Sequence, residues 1–253
     1  MENAVRTLNR RSLLGAGLGA IALPAAAAGQ AWAQLAATDG CSHCQRATFG
    51  SDAANFPRRI ATSSGDAETD RFLGIALARL ASTFRVSPGF AFFDDGNSPN
   101  AFAMSDTLVG NGPGTVMMGI RLFGQTMARG DGGMTVIGIC AHEFGHIHQM
   151  FNGYRDKLLA RSTTVKPVEL HADFLCGYYM AQRKAEHPNL DLSVLARELH
   201  NRGDMATTSR QHHGTPRERL GALSAGFRFG AEGTRDIARA AEAGLHFVTR
   251  GGS

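Results

Sequence analysis

The chain has 253 residues, 43% hydrophobic and 19% charged, with four cysteines and a formal net charge of +4. This composition is ordinary for a globular protein, and the length suggests one domain around a sizeable core, or one with a small appendage. The positive charge is too mild for a nucleic-acid surface, and no basic run interleaved with aromatic residues supplies one.

Residues 1–33 carry the marks of a signal peptide. Asn9-Arg10-Arg11-Ser12-Leu13-Leu14 opens a Gly/Ala-rich apolar stretch, and Ala31-Trp32-Ala33 gives an A-x-A cleavage pattern before Gln34. The paired arginines followed by two leucines read as a twin-arginine export signal, which sends the mature chain to the periplasm or beyond. Removing Arg6, Arg10 and Arg11 together with Glu2 halves the net charge. No other stretch approaches the roughly 18 apolar residues of a membrane span, so no stable membrane insertion is expected after signal cleavage.

Residues 34–66 are rich in Ala, Ser, Thr, Gly and Asp without periodicity and read as an extended arm. Residues 67–253 form the functional domain. Within it, Phe72, Leu73, Ile75, Ala76, Leu80 and Phe84 predict an amphipathic helix over 68–84. Short strands follow at 90–93, 100–103 and 115–118, separated by an Asp94-Asp95-Gly96-Asn97 turn and a glycine-rich loop at 110–114.

The next segment, 134–150, carries the chemistry. His142-Glu143-Phe144-Gly145-His146 is an H-E-x-x-H, and on a helix positions i and i+4 share a face, so both imidazoles can bind one cation. Glu143 can reach a water beside that cation without being a ligand, the place of a general base. Val136, Ile137, Ile139 and Cys140 are apolar enough to bury the helix. A metzincin would carry a third histidine six residues after His146, but Asn152 stands there. A Pro-started helix over 167–186 offers Glu169 as the third ligand instead. Asp173, four residues on and on the same face, can accept the free N–H of a ligating histidine. The macrodipole alone would explain Glu169 but not Asp173 in an otherwise apolar stretch.

After this helix the pattern predicts a helix over 192–202, a polar loop over 203–212 able to cover a cleft, a helix carrying Leu220, Leu223 and Phe227, and a final helix over 234–247. His213 and Arg219 are candidates to reach the site from that third helix, either stabilising the oxyanion of a tetrahedral intermediate or bracing Asp173. A helix cap and a surface arginine are the alternative. His148, His171, His200 and His212 are read as incidental. In an exported protein the cysteines invite disulfides. Cys41 and Cys44 read as a local disulfide or an incidental pair, and Cys140 and Cys176 as a bridge or two buried thiols.

The H-E-x-x-H followed by Glu169, Ala172 and Asp173 as E-x-x-A-D resembles the gluzincin zinc peptidases, and more closely the HtpX and CaaX-prenyl-protease endopeptidases. Asn100-Ala101-Phe102-Ala103 resembles that family's N-A-F-A, and His213 to Leu220 its H-P-x-x-x-x-R-I segment. Ala141 to His146 and Glu169 to Asp173 are also similar to the YpfJ-type neutral zinc metallopeptidases. The resemblance spans roughly residues 85–228 and implies an edge strand at about 115–118 that pairs with extended substrate, with an ordinary core strand as the alternative for this segment.

The expected fold is α+β and zincin-like, a small sheet on a mainly helical body with one zinc ion between two helices. The expected function is an exported zinc metalloendopeptidase acting on protein or peptide substrates. His142, His146 and Glu169 would hold zinc, Glu143 would act as general base and acid, and Asp173 would orient a ligand. A non-catalytic zinc-containing binding protein, closed by a fourth ligand such as His213 or Cys176, and a zinc amidase of the cell wall are the alternatives.

Overall fold

The computed structural model describes residues 60–130, 132–160, 162–193, 195–197, 204–205 and 209–250. Residues 1–33, read as a signal peptide, most of residues 34–66, Cys41, Cys44, His200 and most of the helix expected over 192–202 lie outside them. The described chain is mixed α/β, a four-stranded sheet with a mainly helical remainder. It divides into two compact units. The first runs to Ala81 and resumes over Val86–Ile137, and the second holds Ser82–Arg85 and everything from Gly138.

The first unit contains β1 (Ile60–Ala61), most of α1 (Ala67–Phe84), β2 (Gly89–Phe93), β3 (Ala101–Met104), β4 (Thr115–Gly119) and α2 (Ile120–Met127). The sheet order is β1-β2-β4-β3, with β2 and β4 parallel and the other two pairs antiparallel. Side chains alternate across a strand. One face accordingly collects Ala91, Phe93, Met104 and Met117 over Ile60, Phe102, Leu108 and Val109. On the other, Phe92 meets Phe123 of α2 edge-on at 5.1 Å. Asp95, from the turn after β2, is buried because it caps α2, accepting from the N–H groups of Arg121 at 2.9 Å and Leu122 at 3.0 Å.

One expectation is overturned here. The segment over 115–118 is not an edge strand: β4 is hydrogen-bonded to β2 on one side and β3 on the other, and all five of its residues are buried. Its backbone donors and acceptors are committed within the sheet, so it cannot pair with a substrate strand.

The second unit is built around a helix that is buried almost throughout. It comprises the end of α3 (Gly132–Phe151), then α4 (Tyr154–Leu159), α5 (Lys166–Glu186), α6 (Pro216–Ala231) and α7 (Ile237–Thr249). Every α5 residue from Val168 to Arg183 is buried. Such a helix shows no polar face, and each charged residue inside it needs a partner. Glycine makes the packing possible. A Cβ on Gly177 would lie 2.0 Å from Leu223 O, and one on Gly226 would lie 1.8 Å from Phe174 O, so α5 and α6 approach backbone to backbone. Thr215 and Glu218 form a capping box that fixes where α6 starts, and hence where Arg219 projects.

Candidate metal centre

The two H-E-x-x-H histidines lie on the part of α3 within the second unit, and α5 crosses that helix directly beside them. Gly145 is the crossing point: a Cβ there would stand 3.3 Å from Ala172 Cα. Gly145 lies between the histidines and Ala172 between Glu169 and Asp173, so small residues in both motifs let the functional side chains meet.

They meet closely. His142 Nε2 and His146 Nε2 are 3.1 Å apart, with Glu169 Oε2 3.4 Å from the first and Glu169 Oε1 3.4 Å from the second. All three residues are buried and together form a group that could hold a metal ion. Two imidazole nitrogens this close repel one another through their lone pairs unless a proton or a cation lies between them. Among the described residues no other group of at least three His, Cys, Asp or Glu side chains has this arrangement.

The surrounding charges favour a cation. His142 Nδ1 is 2.9 Å from Asp173 Oδ1, within ion-pair range although off the line of a well-aligned hydrogen bond. Burial alone would lower the His142 pKa, but the Asp173 and Glu169 carboxylates outweigh it and raise the value to about 9. Burial likewise opposes the Glu169 charge, yet His146, His142 and Arg219 hold its carboxyl well below the usual range. Asp173 is depressed in the same way, burial being overcome mainly by Arg219.

Arg219 reaches this network from α6 and is 3% exposed. Its Nε and NH2 donate to the two Asp173 oxygens at 2.7 and 2.8 Å, a bidentate pair, with NH2 also 3.6 Å from Glu169. Of the roles open to Arg219, the geometry supports bracing Asp173. A guanidinium with Nε and NH2 on a buried carboxylate is a positioning group. His213 is not brought to the ligands. Its backbone N–H and ring face Asp204 at 2.8 and 3.3 Å, and its side chain is 44% exposed.

Glu143 is buried and makes no hydrogen bond among the described residues, so its carboxylate has acceptor capacity to spare. Cys140 and Cys176 are free and buried, which resolves the cysteine alternatives in favour of reduced thiols. Cys176 donates to Gly138 O at 3.3 Å, and burial pushes both thiols upward, so neither supplies a thiolate ligand.

Of the histidines read as incidental, His148, His171 and His212 are structural participants. His148 donates from Nδ1 to Phe84 O at 2.9 Å. His212 is buried with Nδ1 2.6 Å from Asp204. His171 is fully buried, bonds Ala241 O and Gln149, and stacks on Tyr154 at 5.5 Å. Gln149, also fully buried, contacts His146 Nδ1 at 2.9 Å and was overlooked from sequence. A glutamine inside an apolar helical run, three residues from a ligand, was the available signal. Comparison with family models, with curated proteins and with solved structures returned no match.

Proposed function

We propose that the protein is an exported zinc metallopeptidase of zincin-like architecture, with His142, His146 and Glu169 as its zinc ligands and Glu143 as its proton-transfer group. The observation that carries this reading is the spacing of the donor atoms of these three residues. Donors about 2.0–2.1 Å from a tetrahedral zinc stand roughly 3.3–3.4 Å apart. The two histidine Nε2 atoms are 3.1 Å apart, and each lies 3.4 Å from one Glu169 oxygen, His142 from Oε2 and His146 from Oε1. The donor set, two nitrogens and a carboxylate, matches that of catalytic zinc. Three protein ligands leave a coordination position for substrate, whereas a structural site is closed by four. His213 and Cys176, the candidates for a fourth, are engaged elsewhere.

Zinc there would act as a Lewis acid on the scissile carbonyl and make water nucleophilic near neutral pH. The chain's own residues divide the remaining work. Glu143, next to His142 on α3 and without a hydrogen-bond partner among the described residues, accepts the proton of the attacking water and returns it to the leaving amine. Asp173 orients the His142 ring, and Arg219 neutralises and orients Asp173. Burial of the whole group strengthens each of these interactions.

A zinc amidase acting on cell-wall amide bonds is a second reading. The interior position of β4 favours it, because the strand assigned to extended peptide is already paired. The test supplies the mature protein, loaded with one equivalent of zinc, with an unfolded protein and separately with peptidoglycan fragments. Zinc-dependent cleavage of the unfolded protein supports the peptidase, and release from peptidoglycan alone moves the amidase ahead. Failure to retain zinc at one equivalent refutes both.

A further inference from the structure

A run of buried hydrogen bonds leads away from His146 and has no role in the reading above. Its direction can be assigned, because a carbonyl oxygen can only accept. At the far end His171 Nε2 lies 2.9 Å from Ala241 O on α7, so this nitrogen donates and Nδ1 of the same ring accepts. Gln149 Nε2 is 2.9 Å from that Nδ1 and 2.8 Å from Val168 O. Its two amide hydrogens are used on these two acceptors, which prevents the amide from turning over. Gln149 Oε1 then faces His146 Nδ1 at 2.9 Å and must accept from it. His146 therefore carries its proton on Nδ1, and the lone pair of Nε2 is turned toward His142 and Glu169.

The run is built rather than casual. Gln149 and His171 are both fully buried. Gly244 lets α7 approach, since a Cβ there would stand 3.0 Å from the His171 ring. Leucine would fill the same volume without requiring the three polar partners that Gln149 has here, and a buried polar group is stabilising only when its partners are in place.

We propose that Gln149, held in one orientation by His171 and Val168 O, is a positioning residue that presets His146 in the tautomer able to ligate a metal ion. The inference rests on the metal reading. The nitrogen that carries the proton in a ligating histidine is set by the bond its other nitrogen makes, and losing such an outer partner weakens metal binding by about 10- to 100-fold.

The test uses wild-type protein, Gln149→Leu and Gln149→Glu, the last of which keeps an acceptor for His146. Nitrogen-15 NMR of the metal-free proteins reads the His146 tautomer, and competition against a chromophoric chelator reads Zn2+ affinity. The expected result is an Nδ1-protonated His146 in wild type and Gln149→Glu. The Nδ1–H resonance is lost in Gln149→Leu, and Zn2+ binds that variant about 10- to 100-fold more weakly. Gln149→Glu stays within threefold of wild type or binds more tightly. An Nε2-protonated His146 in wild type overturns the proposal, as does unchanged affinity in Gln149→Leu or an equal loss in both variants. Wild type that takes up no zinc contradicts the metal reading instead, and the tautomer measurement still stands.

Discussion

Replacing Arg219 with methionine tests whether the α6 contribution to the site is as strongly coupled as its geometry implies. The substitution keeps most of the side-chain volume and removes the two donors that lie 2.7 and 2.8 Å from Asp173. Asp173 is fully buried, so its charge would be left with His142 as its remaining close partner. Breaking a buried pair from one side costs about 3–5 kcal/mol. That is a large part of the roughly 5–15 kcal/mol by which a domain of this kind is stable. Removing both charges in Arg219→Met with Asp173→Asn should return much of the loss, since no uncompensated carboxylate remains. Urea unfolding of the metal-free proteins at pH 7 gives the full double-mutant cycle. A loss under 1 kcal/mol for Arg219→Met, or strict additivity in the cycle, would refute the reasoning.

Gly226→Ala should lower the melting temperature and weaken zinc binding together. The new Cβ would sit 1.8 Å from Phe174 O and force α6, with Arg219, away from α5; calorimetry and zinc titration check the two effects. Acidification should destabilise the metal-free protein below pH 6.5. Burial pushes the His171 pKa down to about 4 and lowers that of His148, so the unfolded chain takes up protons that the folded one refuses. His171 alone contributes about 3 kcal/mol of loss by pH 4. The raised His142 does not oppose this, because its stabilising effect is already complete below its unfolded pKa. Urea midpoints at pH 7 and pH 4.5 measure the difference, and equal midpoints would contradict it. Cys140 and Cys176 should react with a thiol reagent only after denaturation, and prompt labelling of the native protein would contradict their burial.

The candidate metal site was legible because its spacing is local chemistry. The i, i+4 histidines and the Glu169–Asp173 pair each lie on one helix face, and a buried carboxylate in an apolar run signals its own partner. The small residues Gly145 and Ala172 were visible in the motifs, but their function, letting two helices cross, emerges only in three dimensions. Sheet order was not legible. Strands 90–93, 100–103 and 115–118 were anticipated close to their observed bounds, yet no periodicity says that β4 runs parallel to β2 with β3 outside it. The two-residue β1 is too short to leave a pattern. The helix α2 follows β4 without an intervening turn and was missed because its cap, Asp95, lies 25 residues earlier in the chain. His213 was misplaced for the opposite reason: its proximity to Arg219 in sequence suggested a shared destination, whereas the capping box at Thr215 separates the two.

A catalytic zinc in this buried cluster, with Glu143 moving the proton, can be probed with a single variant. The most direct measurement compares wild type with Glu143→Gln, recording bound zinc and the rate of cleavage of an unfolded protein under identical conditions. One zinc per chain is expected in both, with cleavage by wild type and a rate in the variant lower by about 10²- to 10⁴-fold. Equal cleavage by the two proteins, or no cleavage by either while both hold zinc, would contradict it.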